Sequence, residues 1–188
     1  MKLFAPFRSY ISVTYLIYFT VTDKEFDILT DIYSDQLYRF LVKNLRSSED
    51  AADIVQDTFM SACENKANIL PDKAKSWLFT VAHNKMMSFI RYNKIRGGIA
   101  RLNGGDNLSE DVDNIISNDG SIKKFEQMQM ISHAFESLSD NERTCLQLRD
   151  WEGFSYKEIA DITSINEQTV KTYIFRGRMK VKKILADS

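Results

Sequence analysis

The charged residues near the C-terminus have a spacing that suits contact with a polyanion. Every charged residue from 168 to 186 is basic. On a helix, with about 100° between residues, this segment has an apolar stripe on one face and a basic face opposite it. Phosphate groups are a natural partner for such a face, so the pattern predicts nucleic-acid binding. The cations are Lys171, Arg176, Arg178, Lys180, Lys182 and Lys183.

Phe175 stands among these cations, on the side opposite the apolar stripe. Packing inside a domain does not explain it there, whereas contact with a thymine methyl group in the major groove does. The preceding residues Ser155 and Glu158 form a capping-box pattern that predicts a helix from Tyr156. Asn166 then predicts the start of a second helix, which gives a helix-turn-helix. The alternative is a solvated basic helix, or one that binds a membrane surface or a protein.

A second basic region lies in the middle of the chain, where every charged residue between 73 and 105 is basic. A helix is predicted from about Ala74 to Arg96, and Gly97 with Gly98 is expected to end it. Aromatic rings interleaved with cations suit single-stranded nucleic acid, because bases stack on rings and phosphates meet cations. The alternative is that Trp77 and Phe79 complete the core. We expect the inward stripe to contain Leu78, Val81, Ala82, Phe89 and Tyr92.

Two earlier helices are predicted from Asp23 onwards. Apolar residues at three- and four-residue steps indicate a first helix that reaches about Arg46. Its expected inward residues are Phe26, Leu29, Ile32, Tyr33, Leu37, Phe40 and Leu41. Ser47 or Ser48 is expected to cap a second helix, which ends near Asn65. Its outer face carries Asp53, Gln56, Asp57 and Met60, and such an acidic face is often only solvated.

Composition divides the chain into two parts. Residues 98–122 are rich in Gly, Asn and Asp and predict an acidic flexible linker between domains at 23–97 and 123–188. The C-terminal domain is expected to begin with a helix up to about Ser137. We interpret residues 1–22 as an extension of unclear role, with a strand or helix packed on the body as the alternative. Their apolar run is too short to span a bilayer, so no stable membrane insertion is expected. The predicted fold class is all-α, with two small helical domains and a helix-turn-helix in the second.

Catalytic and metal-binding patterns are missing from the sequence. The chain has two cysteines, Cys63 and Cys145, and two histidines, and no spacing among them suits a metal ion. It has no glycine-rich phosphate loop or nucleophile elbow either. We therefore expect no enzyme activity, no metal and no cofactor. The cysteines are expected to be buried, reduced thiols in a cytoplasmic protein.

Five segments, in their order along the chain, resemble bacterial RNA polymerase sigma factors of the extracytoplasmic-function (ECF) type. They are DIVQDTF (53–59), WLFTVAHN (77–84), FIRYNKIR (89–96), SLSDNER (137–143) and EIADITSINEQTVKTYIFRGR (158–178). The resemblance covers about residues 25–186. It implies a factor that binds core RNA polymerase and directs promoter recognition, DNA melting and transcription initiation.

The resemblance also implies roles for three groups of residues. The family's contact with the clamp helices of core polymerase matches Asp53, Gln56 and Asp57. The region that melts and reads the minus-ten promoter element as a single strand matches Trp77, Asn84, Arg91 and Arg96. The positions that read the minus-thirty-five element in the major groove match Lys171, Thr172, Phe175, Arg176 and Arg178.

Other implications of the resemblance concern the linker and the partners. The acidic linker matches the segment that threads towards the polymerase active centre, and an anti-sigma factor is an expected partner. The chain has His83 and Ser88 where the family most often has Arg and Asp, so no base preference is carried over. Two alternatives stay open: a stand-alone helix-turn-helix regulator that binds duplex DNA without polymerase, and an adaptor that binds only proteins. Neither needs the aromatic and basic helix at 77–96.

Overall fold

A computed structural model describes residues 21–102 and 134–186, with the backbone alone for residues 23 and 97–102. In these two ranges the chain forms α-helices and two short 3₁₀ turns and contains no strand. The all-α fold class is therefore confirmed. The N-terminal extension up to residue 20 and residues 103–122 of the predicted linker lie outside the described residues. The helices are α1 (Asp23–Leu45), α2 (Ser48–Asn65), α3 (Ala74–Leu102), α4 (Asp140–Asp150), α5 (Tyr156–Thr163) and α6 (Glu167–Ala186). Residues 134–136 are also helical, as expected for a helix that ends near Ser137.

Side-chain caps set the helix starts. Ser139 and Ser155 each accept a hydrogen bond from the backbone N–H three residues later, and Glu142 and Glu158 close the two capping boxes. Ser47, rather than Ser48, caps α2. A cap of this kind is worth about 1 kcal/mol because it satisfies backbone donors that have no partner within the helix. The predicted starts of α2, α4 and α5 are confirmed.

The prediction that Gly97 and Gly98 end the third helix is wrong, since α3 continues to Leu102. Glycine in a helix costs about 1 kcal/mol relative to alanine, but it keeps its N–H donor and causes no clash. Two glycines therefore weaken a helix without stopping it. Gly153, in contrast, has a φ of +77° and forms the turn that follows α4.

The two predicted domains pack directly on each other. Helix α3 lies against α5, and α1 touches α4. Phe79 is fully buried between Phe40 and Phe154, whose ring centroids are 5.4 and 5.2 Å from its own. Asn44 crosses the same boundary, since its Nδ2 donates to Oε1 of Gln147 at 2.6 Å. We call this contact of α1 and α3 with α4 and α5 the domain interface.

Three residues predicted to be buried are exposed. Tyr92 is 62% exposed because the C-terminal part of α3 extends past its neighbours, so that residues 91–96 are all exposed. Ile32 is 49% exposed on a face of α1 that no described helix covers. Cys63 lies on the outer face of α2, whereas Cys145 is buried as expected. Burial raises the pKa of Cys145 to about 12, so this thiol stays protonated.

Candidate nucleic-acid and polymerase interfaces

The helix-turn-helix consists of α5 and α6. Ser164 ends α5 in the left-handed conformation, with a φ of 57°, and Oδ1 of Asn166 caps α6 by accepting the Thr169 N–H at 2.8 Å. Val170, Ile174 and Gly177 are the buried residues of α6. The apolar stripe predicted from the sequence therefore packs inward at these three positions, and Lys171, Phe175 and Arg176 lie on the exposed side of α6.

The outer face of α6 is open for contact with a ligand. Phe175 is 66% exposed, and Lys171 and Arg176 are exposed beside it. Lys171 pairs with Glu167, one turn earlier, at 2.7 Å. Thr172 is half-buried and its hydroxyl donates to the Gln168 carbonyl at 3.0 Å. An apolar ring with cations beside it is thus presented to solvent on a rigid helix.

Two of the predicted cations hold α6 against α4 instead. Arg178 donates through Nε to Oδ2 of Asp150 at 3.1 Å, and its Nη2 donates to Oδ1 of the same carboxylate. This hydrogen bonding holds the pKa of Arg178 above its usual value. Lys180 donates to Glu142 at 2.6 Å. The structure therefore separates Arg178, which is tied to its own domain, from Arg176.

The outer face of α2 carries the predicted acidic group. Asp53, Gln56 and Asp57 are all exposed, and the opposite face buries Ala51, Ile54, Thr58 and Ala62. Asp57 has one cation nearby, since its carboxylate lies 3.9 Å from Nζ of Lys85. At such an exposed site this ion pair is worth at most about 1 kcal/mol. Most of the negative charge of this face is therefore available to a basic partner.

Helix α3 brings three of its four predicted residues into one row. Trp77, Asn84 and Arg91 are seven residues apart, which is about two helical turns, so they share a face. Trp77 is half-buried, and Asn84 and Arg91 are exposed. Arg96 is also exposed but lies about 140° further round the helix.

Two other residues of α3, Phe79 and His83, are buried. Phe79 belongs to the core, which confirms the alternative weighed for it from the sequence. His83 is 8% exposed, and burial lowers its pKa. Its Nδ1 has no hydrogen-bond partner among the described residues. Neither Phe79 nor His83 can therefore touch nucleic acid in this arrangement.

Sequence reasoning missed a cleft at the domain interface. It has a volume of about 440 Å³, and its lining comes from both halves of the chain. No local pattern marks it, because it joins residues that are distant in sequence. The lining residues are Gln36, Arg39, Phe40, Lys43, Lys75, Gln147, Trp151 and Glu152.

Comparisons with known proteins agree with this arrangement of parts. Residues 29–95 match the family described as Sigma-70 region 2, and residues 128–181 match Sigma-70, region 4. The chain is 28% identical over 156 residues to the ECF RNA polymerase sigma factor SigM of Bacillus subtilis, covering 83% of this chain and 92% of that protein. This chain belongs to the ECF sigma factors.

Relatives and solved structures extend the comparison. The ECF RNA polymerase sigma-E factor of Salmonella typhimurium is 29% identical over 170 residues, or 82% of this sigma factor and 83% of that protein. The sigma factor RpoE of Bartonella quintana, solved with the anti-sigma factor NepR, has a TM-score of 0.73 at 27% identity, covering 87% of this chain and 98% of that one. CnrH, solved with the cytosolic domain of CnrY, shares the fold with a TM-score of 0.61 at 22% identity.

The two sigma regions of this factor correspond to the two sides of the domain interface. Region 2 covers most of α1, all of α2 and most of α3, and region 4 covers α4, α5 and most of α6. In the described parts of the sigma factor, every helix is too short or too polar to cross a membrane.

Proposed function

We propose a division of labour by which this sigma factor directs core RNA polymerase to promoters: α2 binds the polymerase, α3 reads the minus-ten element as a single strand, and α6 reads the minus-thirty-five element as a duplex. The observation that carries the proposal is the presence of both sigma regions in one chain, each with an exposed basic face on a long helix. A stand-alone regulator needs only the second of these faces.

The polymerase contact is assigned to the acidic face of α2. Asp53, Gln56 and Asp57 lie on one exposed side, and their helix is anchored by its buried face against α1 and α3. Complementary charge accelerates association and fixes the orientation of the partners. We assign the basic clamp helices of core polymerase as the partner of this face.

We assign the promoter contacts to two helices, α6 for duplex DNA and α3 for a single strand. In α6, Arg176 and Phe175 are the residues best placed to contact base edges and thymine methyl groups, with Lys171 and Thr172 beside them. Arg178 stays in the proposed site, but it can contact DNA only after its hydrogen bonds to Asp150 are broken. In α3, the row of Trp77, Asn84 and Arg91, together with Arg96, offers stacking, amide and phosphate contacts to a separated strand.

The domain interface has to open when both elements are bound. The minus-ten and minus-thirty-five elements are about 25 base pairs apart, which is about 85 Å at about 3.4 Å per base pair. A compact protein of 188 residues has a radius of gyration of only about 16 Å. We therefore assign the arrangement with α3 against α5 to the free protein, and a separated arrangement to the polymerase complex.

Partners and location follow from the same proposal. RpoE and CnrH were each solved with a protein partner, named as an anti-sigma factor in the case of RpoE. We propose that an anti-sigma factor also binds this chain and masks its polymerase-binding face when the factor is idle. The protein then works in the cytoplasm, where core polymerase acts, as a recruiting factor without enzyme activity of its own.

The experiment that tests the function is transcription in vitro from a pool of random promoter sequences, using core polymerase with and without the protein. We expect specific start sites only when the protein is present. The enriched sequences will contain two conserved elements at a fixed spacing. Retention of particular duplexes by the protein alone, without any new start site, would instead support the stand-alone regulator.

A further inference from the structure

The cleft at the domain interface has an excess of positive charge. Arg39, Lys43 and Lys75 line it from the region 2 side, and Glu152 is the one carboxylate among its lining residues. Lys75 lies 3.7 Å from that carboxylate, so one cation is offset. Arg39 pairs with Asp35, one turn earlier on the same helix, but both side chains are more than half exposed and the pairing is weak.

We propose that this cleft binds a small multivalent anion carrying phosphoryl or carboxylate groups, and that the bound anion holds regions 2 and 4 together. The proposal rests on three observations: the cations converge from two helices, the volume of about 440 Å³ suits a small ligand, and the site exists only while the halves are in contact. Its regulatory consequence depends on the proposed function, but the binding itself does not.

The positive charges of Lys43 and Arg39 are close enough to repel each other. Burial, with a smaller contribution from Arg39, lowers the pKa of Lys43. Its Nζ lies 3.5 Å from the centroid of the Trp151 ring, a cation–π contact between two residues that line the cleft. Glu152 interacts with both cations and offsets part of their mutual repulsion. An additional anion in the cleft stabilises the two cations further.

The lining also restricts the shape of the ligand. One face of Trp151 stacks on Phe135, with centroids 4.7 Å apart, and Lys43 lies over the same ring. The ring is therefore already engaged, and the cleft offers no free aromatic face to a nucleobase. A compact anion such as a diphosphate or a tricarboxylate fits this lining better than a nucleotide does.

Gln147 supplies a second polar feature at the cleft. Asn44 donates through Nδ2 to both the Phe40 carbonyl and Oε1 of Gln147, which fixes the orientation of both amides. Nε2 of Gln147 is then left buried, without a hydrogen-bond acceptor among the described residues. A buried amide donor without an acceptor is rare and costly. Because this nitrogen is closed to solvent, an anion in the cleft reaches it only when the Gln147 side chain turns towards the cleft.

Binding in this cleft is coupled to the arrangement of the two regions. Because both halves supply the lining, an anion binds the closed arrangement more tightly than the open one and shifts the population towards it. The coupling is reciprocal, so whatever opens the interface must weaken anion binding by the same factor. The anion thus opposes the separation that promoter binding requires.

The test is calorimetric titration of the full chain with pyrophosphate and, separately, with citrate, at an ionic strength held constant with sodium chloride. We expect saturable binding of one anion per chain. Binding of pyrophosphate alone assigns the phosphoryl class, and binding of citrate alone assigns the carboxylate class. If neither anion binds at constant ionic strength, the proposal is overturned.

Variants locate the site. Lys43→Gln is expected to weaken binding on the order of tenfold, because one of the converging charges is lost. Lys24→Gln removes the same charge from an exposed position outside the cleft and should leave the affinity unchanged. Phe154→Ala, which loosens the domain interface without lining the cleft, should also weaken binding. Equal affinity in all three variants contradicts the assignment.

Because no polymerase or DNA is used in these titrations, failure of anion binding is distinguishable from failure of the proposed function.

Discussion

Lys75 donates a hydrogen bond from Nζ to the main-chain carbonyl of Glu152, 2.7 Å away, and so ties the start of α3 to the turn before the helix-turn-helix. The same ammonium lies 4.9 Å from the centroid of the Phe154 ring. Burial raises the pKa of Glu152, and Lys75 acts in the opposite direction. One side chain of region 2 therefore contacts the backbone, a carboxylate and an aromatic ring of region 4.

Replacing Lys75 with methionine tests how much this contact contributes. The methionine keeps an apolar stem, but the hydrogen bond is lost and Glu152 stays partly buried without its nearest cation. We expect the free energy of unfolding to fall by about 1–3 kcal/mol, measured by urea denaturation at pH 7. Lys73→Met, at an exposed position two residues earlier, should cost at most about 0.5 kcal/mol. Equal losses in the two variants would show that Lys75 contributes nothing specific.

Arg176 and Arg178 lie on the same helix but are expected to act differently. Arg176→Ala should weaken promoter binding by the polymerase holoenzyme by about 1–3 kcal/mol and relax specificity at one base pair, if the side chain contacts a base edge. A contact with phosphate instead predicts a uniform loss across sequences and a salt slope smaller by about one. Unchanged promoter affinity removes Arg176 from the site.

Arg178→Ala is expected to act first on stability. The substitution leaves Asp150 without its partner and loosens α6 on α4, and the pair is exposed enough that the cost should be about 0.5–1 kcal/mol. Urea denaturation of the full chain measures this cost. A variant with full stability but weakened promoter binding would show that Arg178 leaves Asp150 to contact DNA.

The acidic face of α2 is open to a charge-reversal test. Asp53→Lys should weaken binding to core polymerase at least about tenfold, because a basic partner then meets a like charge. The fold should be unaffected, since Asp53 is exposed. Glu64→Lys is the matched control, as an exposed acid at the C-terminal end of the same helix. Fluorescence anisotropy of labelled protein titrated with core polymerase gives both affinities, and equal weakening points to net charge instead of a specific face.

His83 predicts a pH dependence of stability. Burial lowers its folded pKa below the unfolded value of about 6.5, so the folded state binds fewer protons. The stability that His83 contributes is therefore complete above about pH 6.5 and is lost progressively as the pH falls from there through the lower folded pKa. We expect the free energy of unfolding to fall from pH 7.5 to pH 5.5.

Two glutamine variants separate this effect from the titration of other groups. His83→Gln should reduce the fall in stability between the two pH values, because the group that titrates is gone. His133→Gln, which removes the other histidine of the chain, should leave that fall unchanged. The same pH dependence in the His83 variant would assign the effect to carboxylates.

The helices could be predicted from the sequence because their signals are local. Ser155 with Glu158 marks the start of α5 within four residues, and Asn166 marks the start of α6 in the same way. The exposed face of α6 could also be predicted, because the helical period places Phe175 on the side opposite the buried stripe. The glycine pair at 97–98 did not predict the end of α3 correctly, because glycine only weakens a helix, whereas proline usually ends one.

The domain interface could not be predicted, because its contacts join distant residues. Phe79 and Phe154 are 75 positions apart, and no period in either segment indicates that the two rings meet. Periodicity shows that a residue is apolar on a given face but not which partner covers it. For the same reason Arg178 could not be distinguished from Arg176, since its partner Asp150 lies on another helix.

The most direct measurement varies the distance between the two promoter elements. Starting from a promoter selected by the protein with core polymerase, the spacer is lengthened or shortened one base pair at a time and initiation is measured by run-off transcription. If α3 and α6 bind the two elements while the polymerase holds them at a fixed separation, initiation should be greatest at one spacer length. It should be lost within a few base pairs on either side of that length. Initiation that does not depend on the spacing would contradict the account, because the two regions would then not read the promoter together.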